Sequence, residues 1–457
     1  MLNKVKMNLS TTQIISFGFF LAIFAGALFL MLPISSKSGE FTPFIDALFT
    51  STSAICVTGL TTVVTVTHFN YFGQFVILLL IQFGGLGVVT VTTSILLLMH
   101  KRITLKERIL IQDAFNMNTL GGLVKLTIRV LKGTMLVEGI GALLFAFQFI
   151  PEYGLLLGIW KSVFHSVSAF CNAGIDLIGE NSFAGYVNNP LINLTTMILI
   201  VSGGIGFPVW WDVLKASGRI FKEKMDIRTS LKKMTLHSKV AIATTAILII
   251  GGALLILIME FNNDNTIGNL SIGSKIMASF FQSVTTRTAG FFTVSQAGLR
   301  ESTAFLSIIL MFIGGSPSGT AGGIKTVTFA VLIYTTFTVI KGKQETEMFH
   351  RKLDIAYGKK ALAVGCFSLM ILMVSTMLLS AVENKIFLDT LFETTSAIAT
   401  VGLTRGLTVD LSWLGKLIII ITMYLGRIGP ITIALIMNPL KQKKIFCSLP
   451  DEAVLIG

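Results

Sequence analysis

Residues Ala47–Val63 read ALFTSTSAICVTGLTTV, and the fold turns on this stretch. It is too short and too rich in serine and threonine to cross a bilayer, yet it lies between two long apolar runs. Three further versions follow: SVFHSVSAFCNAGIDLI at Ser162–Ile178, ASFFQSVTTRTAGFFTV at Ala278–Val294 and TLFETTSAIATVGLTRG at Thr390–Gly406. Each has a phenylalanine ten residues before a glycine (Phe49, Phe164, Phe280, Phe392) and a bulky apolar residue just after it (Leu60, Ile175, Phe291, Leu403). The glycines Gly59, Gly174, Gly290 and Gly402 are 115, 116 and 112 residues apart. Near-equal periods of this kind mark four copies of one structural unit.

The surrounding sequence belongs in a membrane. Of 457 residues 53% are hydrophobic and 13% charged, about half the charged share of a soluble protein. The basic start MLNKVKMNLS leads into an apolar run that reaches Pro33 without a small-residue cleavage site, so it reads as a retained first span and not a signal peptide. Cys56, Cys171, Cys366 and Cys447 have neither CxxC nor Cys/His ligand spacing and read as packing residues. The net charge of +13 is not the footprint of a nucleic-acid partner. Of 36 Lys and Arg, 26 fall before the first span and within 101–132, 215–239, 341–360 and 441–444. These basic segments alternate with loops that hold few, which places both termini and the inter-repeat links in the cytoplasm and leaves weak attraction to anionic membrane lipid.

Four repeats follow: residues 1–100, 101–218, 219–340, and 341–457 with a C-terminal tail. The first has spans near Thr12–Pro33 and Gly73–Met99, so Ala47–Val63 must enter the membrane and leave by the same side. In the link, ITLKERILIQDAF (Ile103–Phe115) reads as an interfacial amphipathic helix. The second repeat has spans near Gly133–Ile150 and Leu191–Leu214, and Glu138 within it is either half of a buried structural pair or a transport group. In the third, a span near Val240–Phe261 precedes a segment, Ser302–Ile340, too long for one straight helix. Its middle reads GGSPSGTAGGIK, Gly314–Lys325, which cannot hold a continuous helix. The alternatives are a proline kink or a break lining a cavity; five glycines and Lys325 favour the break. The fourth has spans near Lys360–Val382 and Leu417–Met437, with Arg427 far from either end of the second. An intramembrane charge costs about 2.5–3.5 kcal/mol on insertion scales, so Arg427 should face the bundle interior, toward a pore or a structural partner.

A pore loop needs a short helix whose carbonyl end points at the ion path, followed by extended residues whose carbonyls replace the ion's water. LFTSTSAIC and its counterparts suit a helix of two turns. The residues then aligned are Val57-Thr58-Gly59, Asn172-Ala173-Gly174, Thr288-Ala289-Gly290 and Thr400-Val401-Gly402. None is a carboxylate. Coordination by carbonyls alone suits a large, weakly hydrated monovalent cation, hence potassium at the filter. Arg287 stands where the other repeats have Cys56, Cys171 and Ala399, and is expected to brace the third loop, with Glu393 as a candidate partner. The segment Gly314, Gly315, Ser316, Pro317, Ser318, Gly319, Thr320, Ala321, Gly322, Gly323 follows the third filter and reads as a gate, with Lys325 and Arg427 on its inner side. There is no GxSxG, HExxH or Walker loop, so no enzyme is indicated and no covalently bound cofactor.

The four loops with one glycine each, GGSPSGTAGGIK in the third repeat and the buried Arg427 together resemble the Trk/Ktr/HKT superfamily of potassium transporters, over essentially the whole chain. The chain opens directly on repeat one, where Trk-type subunits tend to carry an extra helix pair, so it looks most like the bacterial Ktr membrane subunit. Some plant relatives have serine at the first loop's glycine and favour sodium; Gly59 argues against that here. The resemblance implies an all-α membrane protein of four parallel helix–pore loop–helix repeats in fourfold pseudosymmetry around one pore. It also implies a homodimer in the bacterial cytoplasmic membrane, with a cytosolic nucleotide-binding ring as regulator. The chain has no GxGxxG fingerprint, so nucleotide sensing would fall to another chain. A sodium-coupled or sodium-conducting transporter, with sodium as co-ion or activator, is the second reading, and Asn172 near the filter could favour it. A scaffold or enzyme that has kept only the repeat fold is the third, and four intact filter glycines argue against it.

Overall fold

The computed structural model describes residues 11–87, 89–91, 93, 109, 112 and 123–429. Among these residues the helices and one small hairpin, β1 Thr346–Met348 paired antiparallel with β2 Arg351–Leu353, make up the regular structure, with two isolated bridges, Ser36–Phe69 and Ile313–Ile324. Among the described residues, four helices are long and apolar enough to cross a membrane: α1 Thr11–Met31, α4 Leu123–Tyr153, α8 Leu236–Glu260 and α12 Ile355–Glu383. Each precedes a shorter helix: α2 Phe44–Cys56, α5 Leu155–Cys171, α9 Ile272–Thr285 and α13 Phe387–Ala399. At 13 to 17 residues these exceed the two turns read from the sequence, because the helix begins upstream of the repeated motif, at Phe44 in the first copy and Leu155 in the second.

The third helix of each unit departs from the sequence reading. The expected span Gly73–Met99 is helical as α3 Tyr71–Leu86 and then breaks at Gly87, whose φ is 82°. Leu191–Leu214 is not one span. It comprises α6 Pro190–Gly204 and α7 Phe207–Phe221, bent by 104° at Ile205-Gly206, where Gly206 has φ 92°. In the third unit α10 Glu301–Phe312 and α11 Thr326–Ile340 flank the chain 313–325. In the fourth, α14 Trp413–Ile428 ends at Gly429, φ 88°. A left-handed glycine is a low-cost place to leave a helix; the first, second and fourth breaks follow Gly84-Gly85, Gly203-Gly204 and Gly426, whereas the third helix ends at Phe312, ahead of its glycines. The end of the expected span Leu417–Met437, the basic tail 441–444 and the interfacial helix Ile103–Phe115, save Ile109 and Gln112, lie outside the described residues.

The packing is that of a membrane protein turned polar side in. Large apolar side chains such as Phe17, Phe147, Ile258 and Met377 are exposed along the four long helices. The hydroxyls of Thr50–Ser53, Ser166, Ser168, Ser283 and Thr394–Ser396 are buried on the short ones. Lipid supplies no hydrogen bonds, so polar groups collect where protein can pair them. The pairing repeats. Ser51 donates to the Ile23 carbonyl at 2.7 Å, Ser166 to that of Glu138 at 2.6 Å and Ser283 to that of Ile249 at 2.8 Å, while Thr394 meets Thr376 at 2.7 Å. Opposite the first three hydroxyls stand Gly26, Gly141 and Gly252, where any added methyl would strike the serine oxygen.

Candidate functional site

The short helices α2, α5 and α13 end alike. The residue after each is in the left-handed region: Val57 at φ 53°, Asn172 at 59° and Thr400 at 52°. Such a conformation costs a non-glycine residue about 1–2 kcal/mol, so the surroundings must hold it. They do so with main-chain bonds from Thr58 to Ser53, Ala173 to Ser168 and Val401 to Ser396, each 2.8 Å. The same serines cap the turn: the hydroxyls of Ser53 and Ser396 accept from the amides of Gly59 and Gly402 at 3.0 Å, and Ser168 donates to the Ile175 carbonyl at 2.6 Å. The sequence reading passed over these serines, although each stands six residues before its glycine.

The third copy differs. Its helix stops at Thr285, Thr288 takes the left-handed conformation at φ 70°, and Thr285 donates to the Phe291 carbonyl at 2.5 Å. Arg287 is buried, but its guanidinium does not reach Glu393. It donates to the carbonyls of Gly314 at 3.0 Å and Thr245 at 3.4 Å, whereas Glu393 accepts from Thr404 and Thr408 beside its own helix. An arginine can serve main-chain carbonyls where no acid lies within reach.

The four glycines meet. Gly59, Gly174, Gly290 and Gly402 have φ of 97°, 66°, 89° and 93°. A methyl carbon placed on Gly59 would stand 2.6 Å from the Ala173 carbonyl oxygen, on Gly174 2.5 Å from that of Ala289, and on Gly290 2.6 Å from that of Val401. On Gly402 it would strike the carbonyl of Thr58, which closes the circle. Thr58, Ala173, Ala289 and Val401 are buried, and the hydroxyls of Thr58, Thr288 and Thr400 have no hydrogen-bond partner among the described residues.

The chain 313–325 forms a flap bound on three sides. Its base is pinned by Gly314 donating to Ile324 at 3.0 Å, Ile324 to Phe312 at 3.1 Å and Thr326 to Gly315 at 2.9 Å. One flank docks on the α6–α7 bend. Ser316 donates to the Gly204 carbonyl at 2.8 Å, Thr320 to that of Gly203 at 3.1 Å, and Phe207 back to that of Ser318 at 3.2 Å; a methyl on Gly206 would run into the Pro317 carbonyl. Gly319 packs on the same carbonyls. The other flank meets Arg427, which donates to Thr320 at 2.8 Å and also to the carbonyl of Gly84 on α3. Gly322 lies against Ala399 and Thr400, so the flap abuts the end of α13 where the fourth glycine loop begins. Lys325 turns back on Ala321 at 2.6 Å, and Gly323 takes φ 65°. Beside the flap is a cavity of about 290 Å³ lined by Gly322, Lys325, Ser368, Ala399 and Arg427.

Glu138 is buried with no cation beside it among the described residues: Gln82 donates to it at 3.3 Å and the Cys171 thiol lies 3.9 Å away. A second set of residues missed in the sequence is Gly84, Gly203 and Gly426. Each brings a helix so close to the carbonyl of Ile55, Phe170 or Ile398 that no side chain would fit.

A bundle of apolar helices around a buried ring of main-chain carbonyls is built as a membrane transport protein. The chain belongs to the TrkH family, described as cation transport proteins, whose profile matches residues 4–447. It is 40% identical to the potassium/sodium uptake protein NtpJ of Enterococcus hirae, over 100% of this chain and 99% of that one. It is 41% identical to the Ktr system potassium uptake protein B of Bacillus subtilis, over 97% of this chain and 96% of the relative. The fold matches the crystal structure of the potassium transporter TrkH from Vibrio parahaemolyticus with a TM-score of 0.72, over 96% of this chain and 86% of that one, at 18% identity. The resemblance to Trk and Ktr proteins read from the motifs therefore holds, and the protein is an ion transporter, not an enzyme.

Proposed function

We propose that this chain is the ion-translocating subunit of a potassium uptake system. In it, four parallel helix–loop–helix units, at the boundaries read from the sequence, surround one pore in fourfold pseudosymmetry. The carrying observation is the closed circle in which each glycine abuts the carbonyl preceding the next. Those carbonyls, with the unpartnered hydroxyls of Thr58, Thr288 and Thr400, supply ligands without a formal charge, which suits a large monovalent cation. The helix ends α2, α5 and α13 add partial negative charge. The flap, held by Arg287, Arg427 and the α6–α7 bend, is the gate on the cytoplasmic side. Both termini are cytoplasmic, the membrane is the bacterial cytoplasmic membrane, two copies form a dimer, and a nucleotide-binding ring docks on the inner face.

Sodium as co-ion is the second reading, favoured by the name of the Enterococcus relative, a potassium/sodium uptake protein. Uptake of Rb⁺ into vesicles holding the purified protein separates the two. Potassium-selective flux without external sodium supports the first. Flux that appears only with sodium supports the second, and no flux of either ion removes both.

A further inference from the structure

We propose that α7 and the basic segment after it form a binding site for anionic phospholipid of the inner leaflet, and that this site holds the flap closed. The inference rests on the flap being the gate and adds to it a ligand and a route of coupling. The helix α7 leaves α6 at 104°, so it does not continue the span. Its sides are unlike. Val213, Leu214 and Phe221 are exposed, Phe221 to 82%, while Phe207, Val209, Asp212 and Ala216 are buried against the protein. Lys215 and Lys222 project from a third side. An exposed apolar strip flanked by lysines, with Trp210 and Trp211 in the same turn, is the pattern of a helix lying in the membrane interface.

The charge beside it is predominantly positive. Lys215, Lys222, Lys224, Arg228, Lys232 and Lys233 are exposed, against the acids Glu223 and Asp226, and Asp226 is occupied capping Thr229. Asp212 is bound to Thr235, and Arg219 is turned onto Ser230. The remaining excess of exposed cations lies on α7 and in the segment just after it, beside an apolar strip, which fits a phosphodiester headgroup with its acyl chains. An acidic protein would leave the apolar strip uncovered.

The coupling is short. Trp210 donates across the bend to the Ser202 carbonyl at 2.8 Å and packs on Phe170, whose carbonyl accepts from Thr320 of the flap at 3.0 Å. Phe207, the first residue of α7, donates directly to Ser318. Lipid that fixes α7 in this orientation therefore stabilises the flap in its docked state.

The test uses the full chain in phosphatidylcholine vesicles with and without phosphatidylglycerol. With Trp160→Phe and Trp413→Phe as background, Trp210 and Trp211 report. Brominated phosphatidylglycerol should quench them more than brominated phosphatidylcholine at equal mole fraction. Replacing Lys215, Lys222, Lys224 and Arg228 with Gln should remove the difference, since each cation near the surface is worth roughly a fivefold preference. Phosphatidylglycerol should lower Rb⁺ flux several-fold in the parent and leave the four-Gln variant unchanged. Equal quenching by the two lipids overturns the site, and is the result expected if the segment serves an acidic protein instead. Preferential quenching with flux indifferent to phosphatidylglycerol overturns the coupling. The gate reading is tested apart from both by shortening the flap.

Discussion

At the scale of single residues the account depends on where a side chain has no room. Gly59 and Gly402 combine a left-handed φ with a carbonyl of the neighbouring unit at their faces. Serine at either position is expected to lower the preference for K⁺ over Na⁺ by about tenfold, or about 1.4 kcal/mol, measured as relative flux in vesicles. An unchanged preference in all four single Gly→Ser variants would refute carbonyl coordination. Ser396→Ala removes the hydroxyl that accepts from the Gly402 amide. It should cost about 0.5–1.5 kcal/mol of stability and erode selectivity less than Gly402→Ser does. The glycines were legible in the sequence because they recur with a bulky neighbour. The serines were less so, since the motif is crowded with hydroxyl residues and only geometry separates Ser53, which caps the turn, from Thr52, which bonds back to Leu48. The partner of Arg287 was not legible either. Sequence ranks partners by charge, and this arginine is spent on two carbonyls, that of Gly314, free because the following helix is broken, and that of Thr245 on α8.

At the scale of elements, the break in the third unit was visible as a run of glycine, serine and proline. The 104° bend at Ile205-Gly206 was not, because SGGIGFPVWW keeps enough apolar residues to pass as one span. Hydropathy registers length and composition, whereas a single left-handed glycine sets direction. Two expectations belong here. Removing Ser316–Gly319 takes out the part of the flap that docks on Gly203, Gly204 and Phe207. Rb⁺ flux should rise with the K⁺ preference kept; a shortened protein that inserts but conducts no faster would move the gate elsewhere. Arg427→Gln removes the guanidinium bridging Thr320 and Gly84. It should raise flux in the same direction, and the two changes combined should add less than their separate effects, because they act on one contact network.

At the scale of the whole molecule, charge distribution and repeat count predict a chain that starts and ends every unit on the cytoplasmic side. With Cys366 and Cys447 replaced by Ser, a cysteine at exposed Ser38 should react with an impermeant maleimide from outside intact cells, and one at exposed Glu345 only after permeabilisation. The reverse pattern would invert the topology. The four loops have one purpose in this account, which is to bring four carbonyls to one ion. Anomalous diffraction from crystals soaked in thallous ion tests that most directly. A peak within coordination distance of the carbonyls of Thr58, Ala173, Ala289 and Val401 is the predicted result, and it should be displaced by excess K⁺ more readily than by Na⁺. Ordered loops with no ion among those four carbonyls would contradict the account.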